Sequence, residues 1–133
     1  MSDTLKAGLI GTRRVDIDRD KTISFMGDDC RVYSTPNLLY DLEMACRDLL
    51  LQHIDAGKDS VGTRVELDPV GATLMGMWVE ITVTLTEVNG PAVTFEFKAR
   101  DAVEEVARGK HSRFVVGVEK TAQRLQAKRA KAG

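Results

Sequence analysis

The sequence predicts an α+β domain in which an antiparallel sheet packs on one long helix. Two observations carry that expectation: a single strong helix signature between Thr35-Pro36 and Gly57, and a switch to period-two patterning in the segments that follow. The length sets the scale. At 133 residues the chain has room for one core, which buries roughly two thirds of the unfolded surface.

Ahead of the helix, Leu9-Ile10, Val15, Ile17 and Ile23 give one extended segment and a loop, interrupted by Gly8, Gly11 and the charged run Asp18-Arg19-Asp20-Lys21. Thr35 then offers an N-cap hydroxyl. Pro36 sits where a missing N–H costs nothing, and Gly57 supplies a C-terminal stop after Ala56. At about 100° per residue, Leu38, Leu39, Leu42, Cys46, Leu49, Leu50 and Ile54 share one wide apolar arc. Asp41, Asp48, Gln52 and Asp55 make a narrow polar edge opposite. Glu43, at about 40° from Leu39, falls inside the apolar arc. An unpaired carboxylate is costly there, so Glu43 is either paired, with Arg47 one turn on as the obvious partner, or used.

Three strands follow. Val61, Thr63, Val65 and Leu67 alternate with polar neighbours, as do Met77, Val79, Ile81, Val83 and Leu85, and then Val93, Phe95, Phe97 and Ala99. Asn89-Gly90 marks a hairpin, and because both apolar sets are odd-numbered the loop is expected to have three residues with a bulge. A last strand spans about Glu104 to Val116, with a slip expected at Gly109. The tail from Val118 reads as a solvated helix, dividing the chain into a domain over 1–118 and a basic tail over 119–133. The exposed edges of a single sheet point to a homodimer.

The charge sum of -1 conceals a segregation. The tail carries Lys120, Arg124, Lys128, Arg129 and Lys131 against Glu119, a net +4 on a body of -5. These cations have no interleaved aromatics, so the tail is not a nucleic-acid footprint. No apolar run is long enough to span a membrane, and Met-Ser-Asp-Thr-Leu-Lys is no secretory leader, which leads us to expect a cytoplasmic protein. Cys30 and Cys46 cannot form a metal site by themselves, and no metal or cofactor is expected.

A constellation of residues remains. In Tyr33-Ser34-Thr35-Pro36, Leu42-Glu43-Met44-Ala45-Cys46, Ser60-Val61-Gly62-Thr63, Ala72-Thr73 with Gly76, and Gly109-Lys110-His111-Ser112-Arg113, the chain resembles the hotdog-fold acyl-CoA thioesterases, specifically the fluoroacetyl-CoA thioesterase-like family. The likeness begins at Leu5-Lys6-Ala7-Gly8-Leu9 and runs to Val118. It implies a thioester carbonyl held at the helix N-terminus, where backbone N–H groups stabilise an oxyanion. It further implies Thr35 and Glu43 as a catalytic nucleophile and base pair, and Gly62, Arg113 and His111 as substrate contacts. CoA then enters only as part of the substrate. The family's catalytic histidine falls seven residues after the glycine, where this chain has Pro69, preceded by Asp68 as a possible replacement base. Two readings follow: a thioesterase for a small or medium acyl-CoA, and a non-catalytic acyl-CoA-binding protein.

Overall fold

The computed structural model describes residues 4–133. Strand β1 (Ile10–Asp16) leads through a loop with two short 3-10 turns to helix α1 (Thr35–Leu51). Four strands follow, β2 (Lys58–Pro69), β3 (Trp78–Asn89), β4 (Ala92–Arg100) and β5 (Glu105–Gly117), and then helix α2 (Val118–Ala132). The sheet is antiparallel in the order β1-β3-β4-β5-β2. Leu42, Cys46 and Leu50 on α1 are wholly buried, as are Val79, Ile81, Val83, Leu85 and Phe95 on the sheet face they meet. Among the described residues, no helix is long and apolar enough to cross a membrane.

Ser34, rather than Thr35, caps α1: its Oγ accepts from the Asn37 amide N–H at 3.2 Å and from Asn37 Nδ2 at 2.6 Å. Thr35 and Pro36 each sit one position further into the helix than their residue types suggest. The helix also ends earlier, at Leu51, with Gln52 as its C-cap and Gly57, at φ 82°, closing the turn into β2.

The β3–β4 hairpin retains the expected phase by a different device. Asn89 pairs with Ala92 across a two-residue turn, with Gly90 at φ 60°, and the extra residue lies inside β3, between Leu85 and Glu87. The bulge returns Leu85 opposite Phe95 and keeps the odd-numbered side chains inward. Gly109 marks no slip, because β5 keeps continuous register with Leu67 and Phe97 there. The glycine is required by close approach, since a Cβ would collide with the Glu66 carbonyl and stand 2.8 Å from Phe97 Cζ.

The polar edge of α1 is not uniformly wet. Asp41 is 1% exposed, covered by the chain that precedes the helix. Its oxygens accept from Lys21 Nζ at 3.3 and 3.2 Å and from the Tyr33 hydroxyl at 2.5 Å. These bonds fasten the segment that delivers Thr35 onto the helix it opens. Asp41→Ala is expected to cost about 2 kcal/mol, the worth of hydrogen bonds to a charged group whose Lys partner is partly solvated, measured by urea denaturation.

Candidate functional site

The site is built where α1 crosses the start of β2. Helix and strand run in opposite directions. Arg47 faces Asp59, and one turn earlier Glu43 faces Gly62. The Arg47 fork meets Asp59 at 2.9 and 2.7 Å, and that hydrogen-bonded pairing holds the Asp59 carboxyl below its ordinary range. Arg47 is therefore committed to Asp59. The i,i+4 pairing that would have made Glu43 a purely structural residue is not formed.

Glu43 instead faces the sheet. A Cβ on Gly62 would collide with Glu43 Oε1 and stand 3.1 Å from His111 Cε1, so the glycine gives the carboxylate a gap in the wall of β2. A register shift between Gly62 and Arg64 creates this arrangement. It breaks the expected alternation of β2: Val61 turns outward beside Phe114, while Ser60 is buried, Gly62 pairs with Arg113, and Val65 and Leu67 remain partly covered.

Behind the gap lies Arg113, whose side chain is only 4% exposed. Its Nε donates to Ser60 Oγ at 2.7 Å, Nη2 to the Ser60 carbonyl at 2.8 Å, and Nη1 to His111 Nε2 at 3.1 Å. Nη1 also stands 3.7 Å from Glu43 Oε1, a Coulomb contact rather than a hydrogen bond. Burial pulls the guanidinium below its ordinary range and the Glu43 charge opposes that pull. Cys46, beneath them, is a core residue: burial pushes its thiol up to about 12, so it supplies no thiolate.

His111 is fully buried and both ring nitrogens are engaged within the chain. Nδ1 lies 2.8 Å from the Arg64 carbonyl, which can only accept, so Nδ1 carries the proton. Nε2 faces Arg113 Nη1, which can only donate, so Nε2 is bare. The ring is neutral, and its 3.7 Å approach to Glu43 is no ion pair.

Thr35 and Asp68 lie elsewhere. Thr35 is exposed at the head of α1, eight residues and about 12 Å along the axis from Glu43, so one chain does not bring the two together. Asp68 stands on the outer face of the sheet. There it is opposite Arg108, which has the like-charged Lys98 on its other side, while Lys110 on the same face lies between Glu66 and Glu96. Pro69 ends β2, seven residues and about 23 Å along the strand from Gly62. Two sizeable grooves, about 560 Å³ on the outer face and about 580 Å³ beneath α2, do not include Glu43. Ser60 escapes sequence reasoning, because a serine in a strand carries no signal until the bulge turns it inward. Among the described residues, no cluster of His, Cys, Asp and Glu is arranged to hold a metal ion.

A five-stranded antiparallel sheet packed on one central helix, with a carboxylate at a gap in its edge strand, is a hotdog fold with the makings of an acyl-transfer site. The chain belongs to the fluoroacetyl-CoA-specific thioesterase family, whose model matches residues 17–119. A fluoroacetyl-CoA thioesterase from Streptantibioticus cattleyicolor is 30% identical over 89 residues, covering 67% of this chain and 64% of that relative, a little under two thirds of its length. The crystal structure of a point mutant of the fluoroacetyl-CoA-specific thioesterase superposes with a TM-score of 0.87 at 25% identity, covering 96% of this chain and 99% of the other. A thioesterase-superfamily protein from Thermus thermophilus shares the fold, with a TM-score of 0.86 at 19% identity over 98% of this chain and 99% of its own.

Burial, the largest influence, lowers the affinity of His111 for a proton below its ordinary pKa of 6.5, and the Arg113 cation adds to this against the Arg64 hydrogen bond. The unfolded chain therefore takes up a proton that the folded chain refuses. Stability is expected to fall as pH drops below about 6.5, and urea midpoints measured between about pH 8 and pH 5 should decline less steeply in His111→Gln.

Proposed function

We propose that the protein is a cytoplasmic homodimeric thioesterase that hydrolyses a small or medium acyl-CoA to the free acid and CoA, without a cofactor. The observation that carries this reading is Glu43, a carboxylate on an otherwise apolar helix face, set at the Gly62 gap beside a buried cation whose Nη1 stands 3.7 Å away, beyond hydrogen-bond reach. Family membership supports it, as does a relative whose structure was solved with fluoroacetate and CoA, covering 88% of this chain at 25% identity.

Thr35 and Glu43 of one chain are too far apart to share a carbonyl, so the working pair crosses the dimer. β2 lies at one margin of the sheet with an unpaired edge. Thr35 and Pro69 sit toward one end of that edge and Glu43 with Gly62 toward the other. Antiparallel pairing of two β2 edges about a two-fold axis sets the head of one α1 against Glu43 of the partner.

In this reading the Thr35 hydroxyl attacks the thioester carbonyl while the facing Glu43 takes its proton. The tetrahedral oxyanion collapses to an acyl-threonine and expels CoA as its thiolate, which is then protonated. That proton comes from Glu43, which, ionised again, draws a proton from the attacking water and passes it to the Thr35 oxygen as the acid leaves. The oxyanion donors at the helix start are fewer than a helix usually offers. Pro36 has no N–H, that of Asn37 is taken by Ser34 Oγ, and that of Leu38 goes to the Ser34 carbonyl, which leaves the N–H of Thr35 itself.

Thr35→Ala and Glu43→Ala are each expected to lower kcat/KM on a panel of acyl-CoAs, followed with a thiol reagent, by roughly tenfold or more. A mixed dimer of the two variants keeps one complete site of two, so it should recover about half of the wild-type activity per dimer. Unchanged rates in both single variants would sink the assignment, and failure of the mixture to recover would place both residues in one chain's site.

Pro69 favours a second reading, binding without turnover, because proline neither relays a proton nor donates a hydrogen bond. Calorimetry with an acyl-CoA that binds but is not cleaved would support it. Pro69→His is then expected to introduce measurable hydrolysis.

A further inference from the structure

The Glu43 site contains a polar residue whose part is left open by catalysis and substrate contact. Arg113 is a buried cation with five N–H donors, and two of its three directed bonds go to Ser60, through Oγ and the backbone carbonyl. The third acceptor is His111 Nε2. A buried arginine more commonly meets a carboxylate, which would absorb its charge as well as its hydrogen bond. A neutral imidazole satisfies the N–H and leaves the charge unspent. The nearest carboxylate then in line to receive it is Glu43, 3.7 Å from Nη1.

The ring can play this part only in one tautomer, and the fold dictates which. The register shift between Gly62 and Arg64 brings the Arg64 carbonyl to 2.8 Å from Nδ1, fixing the proton there and presenting a bare Nε2 to the guanidinium. Burial and the Arg113 cation hold the ring neutral, against Glu43 and the Arg64 carbonyl, both of which favour its charged form. From α1 it faces Glu43. Its own strand contributes Arg113, and across β4 its partner is Phe95. Protonation would turn an N–H toward the Arg113 N–H.

We propose that His111 is a positioning residue, a neutral hydrogen-bond acceptor locked by the Arg64 carbonyl, which holds the Arg113 guanidinium so that its charge acts on Glu43. His111 is thereby a member of the catalytic support and not a substrate contact. The proposal rests on the thioesterase reading for its kinetic consequence and on geometry alone for its structural one, so the two are tested separately.

Ring nitrogen NMR of the wild-type protein is expected to show His111 as the Nδ1–H tautomer at neutral pH. A charged ring, or one protonated at Nε2, would overturn the proposal whether or not the protein hydrolyses anything. In kinetics, His111→Phe keeps the bulk but loses the acceptor and should lower kcat by roughly tenfold or more, with KM moved less than about threefold. His111→Gln restores a neutral acceptor and should stay within about threefold of wild type. A rise in KM at unchanged kcat in His111→Phe would make the residue a substrate contact and overturn the proposal, as would a Gln variant as impaired as the Phe variant. A wild-type protein with no activity on any thioester would refute the thioesterase reading while the NMR result still decided the tautomer.

Discussion

A guanidinium with 4% of its side chain exposed is the constraint on which the site is built. Burying an arginine is tolerable only when its donors find acceptors and its charge finds a counterpart, and each neighbour of Arg113 meets one of those requirements. Ser60 supplies two acceptors and His111 a third. Glu43 supplies the charge at a remove. Each of these groups is held by something further: Ser60 by its inward turn on β2, His111 by the Arg64 carbonyl, and Glu43 by the absence of a side chain at Gly62. One irregularity in one strand sets all three.

That irregularity also explains which features are legible in the chain and which are not. The sheet and the central helix are legible because their apolar residues obey the two simple periods, and Leu42, Cys46, Ile81 and Phe95 are buried as those periods require. Bulges are legible only as a need. Parity demands one in the β3–β4 hairpin, but nothing in the residues says that it lies at Thr86 rather than in the turn. At Thr63 the alternation is regular enough to conceal the shift, and it assigns Val61 to the wrong face. A bulge is a property of two strands in register, and one strand read alone does not reveal it.

Glu43 is the most informative single residue of the sequence, because its position on the helix wheel conflicts with its chemistry. Pairing with Arg47 would resolve the conflict within the helix, but Asp59 occupies Arg47, and Glu43 faces the Gly62 gap and the buried Arg113 instead. Thr35 is less transparent. Hydroxyl residues at positions 34 and 35 are both competent caps, and the choice depends on backbone angles; Ser34, at φ -78° and ψ 145°, has the extended geometry of a cap. Separation along a helix, by contrast, is plain arithmetic, and the distance from Thr35 to Glu43 is legible from eight residues alone.

The placement of the cap at Ser34, one residue ahead of the proposed nucleophile Thr35, has a consequence for how the protein can change. Where a single hydroxyl both starts a helix and reacts, folding polices the chemistry, since any replacement also unravels the first turn. Here the cap is one residue upstream. Position 35 is free to drift or to be rebuilt with serine, cysteine or an inert side chain on an intact scaffold, so new reactivity at this helix head can be explored without first being filtered by stability.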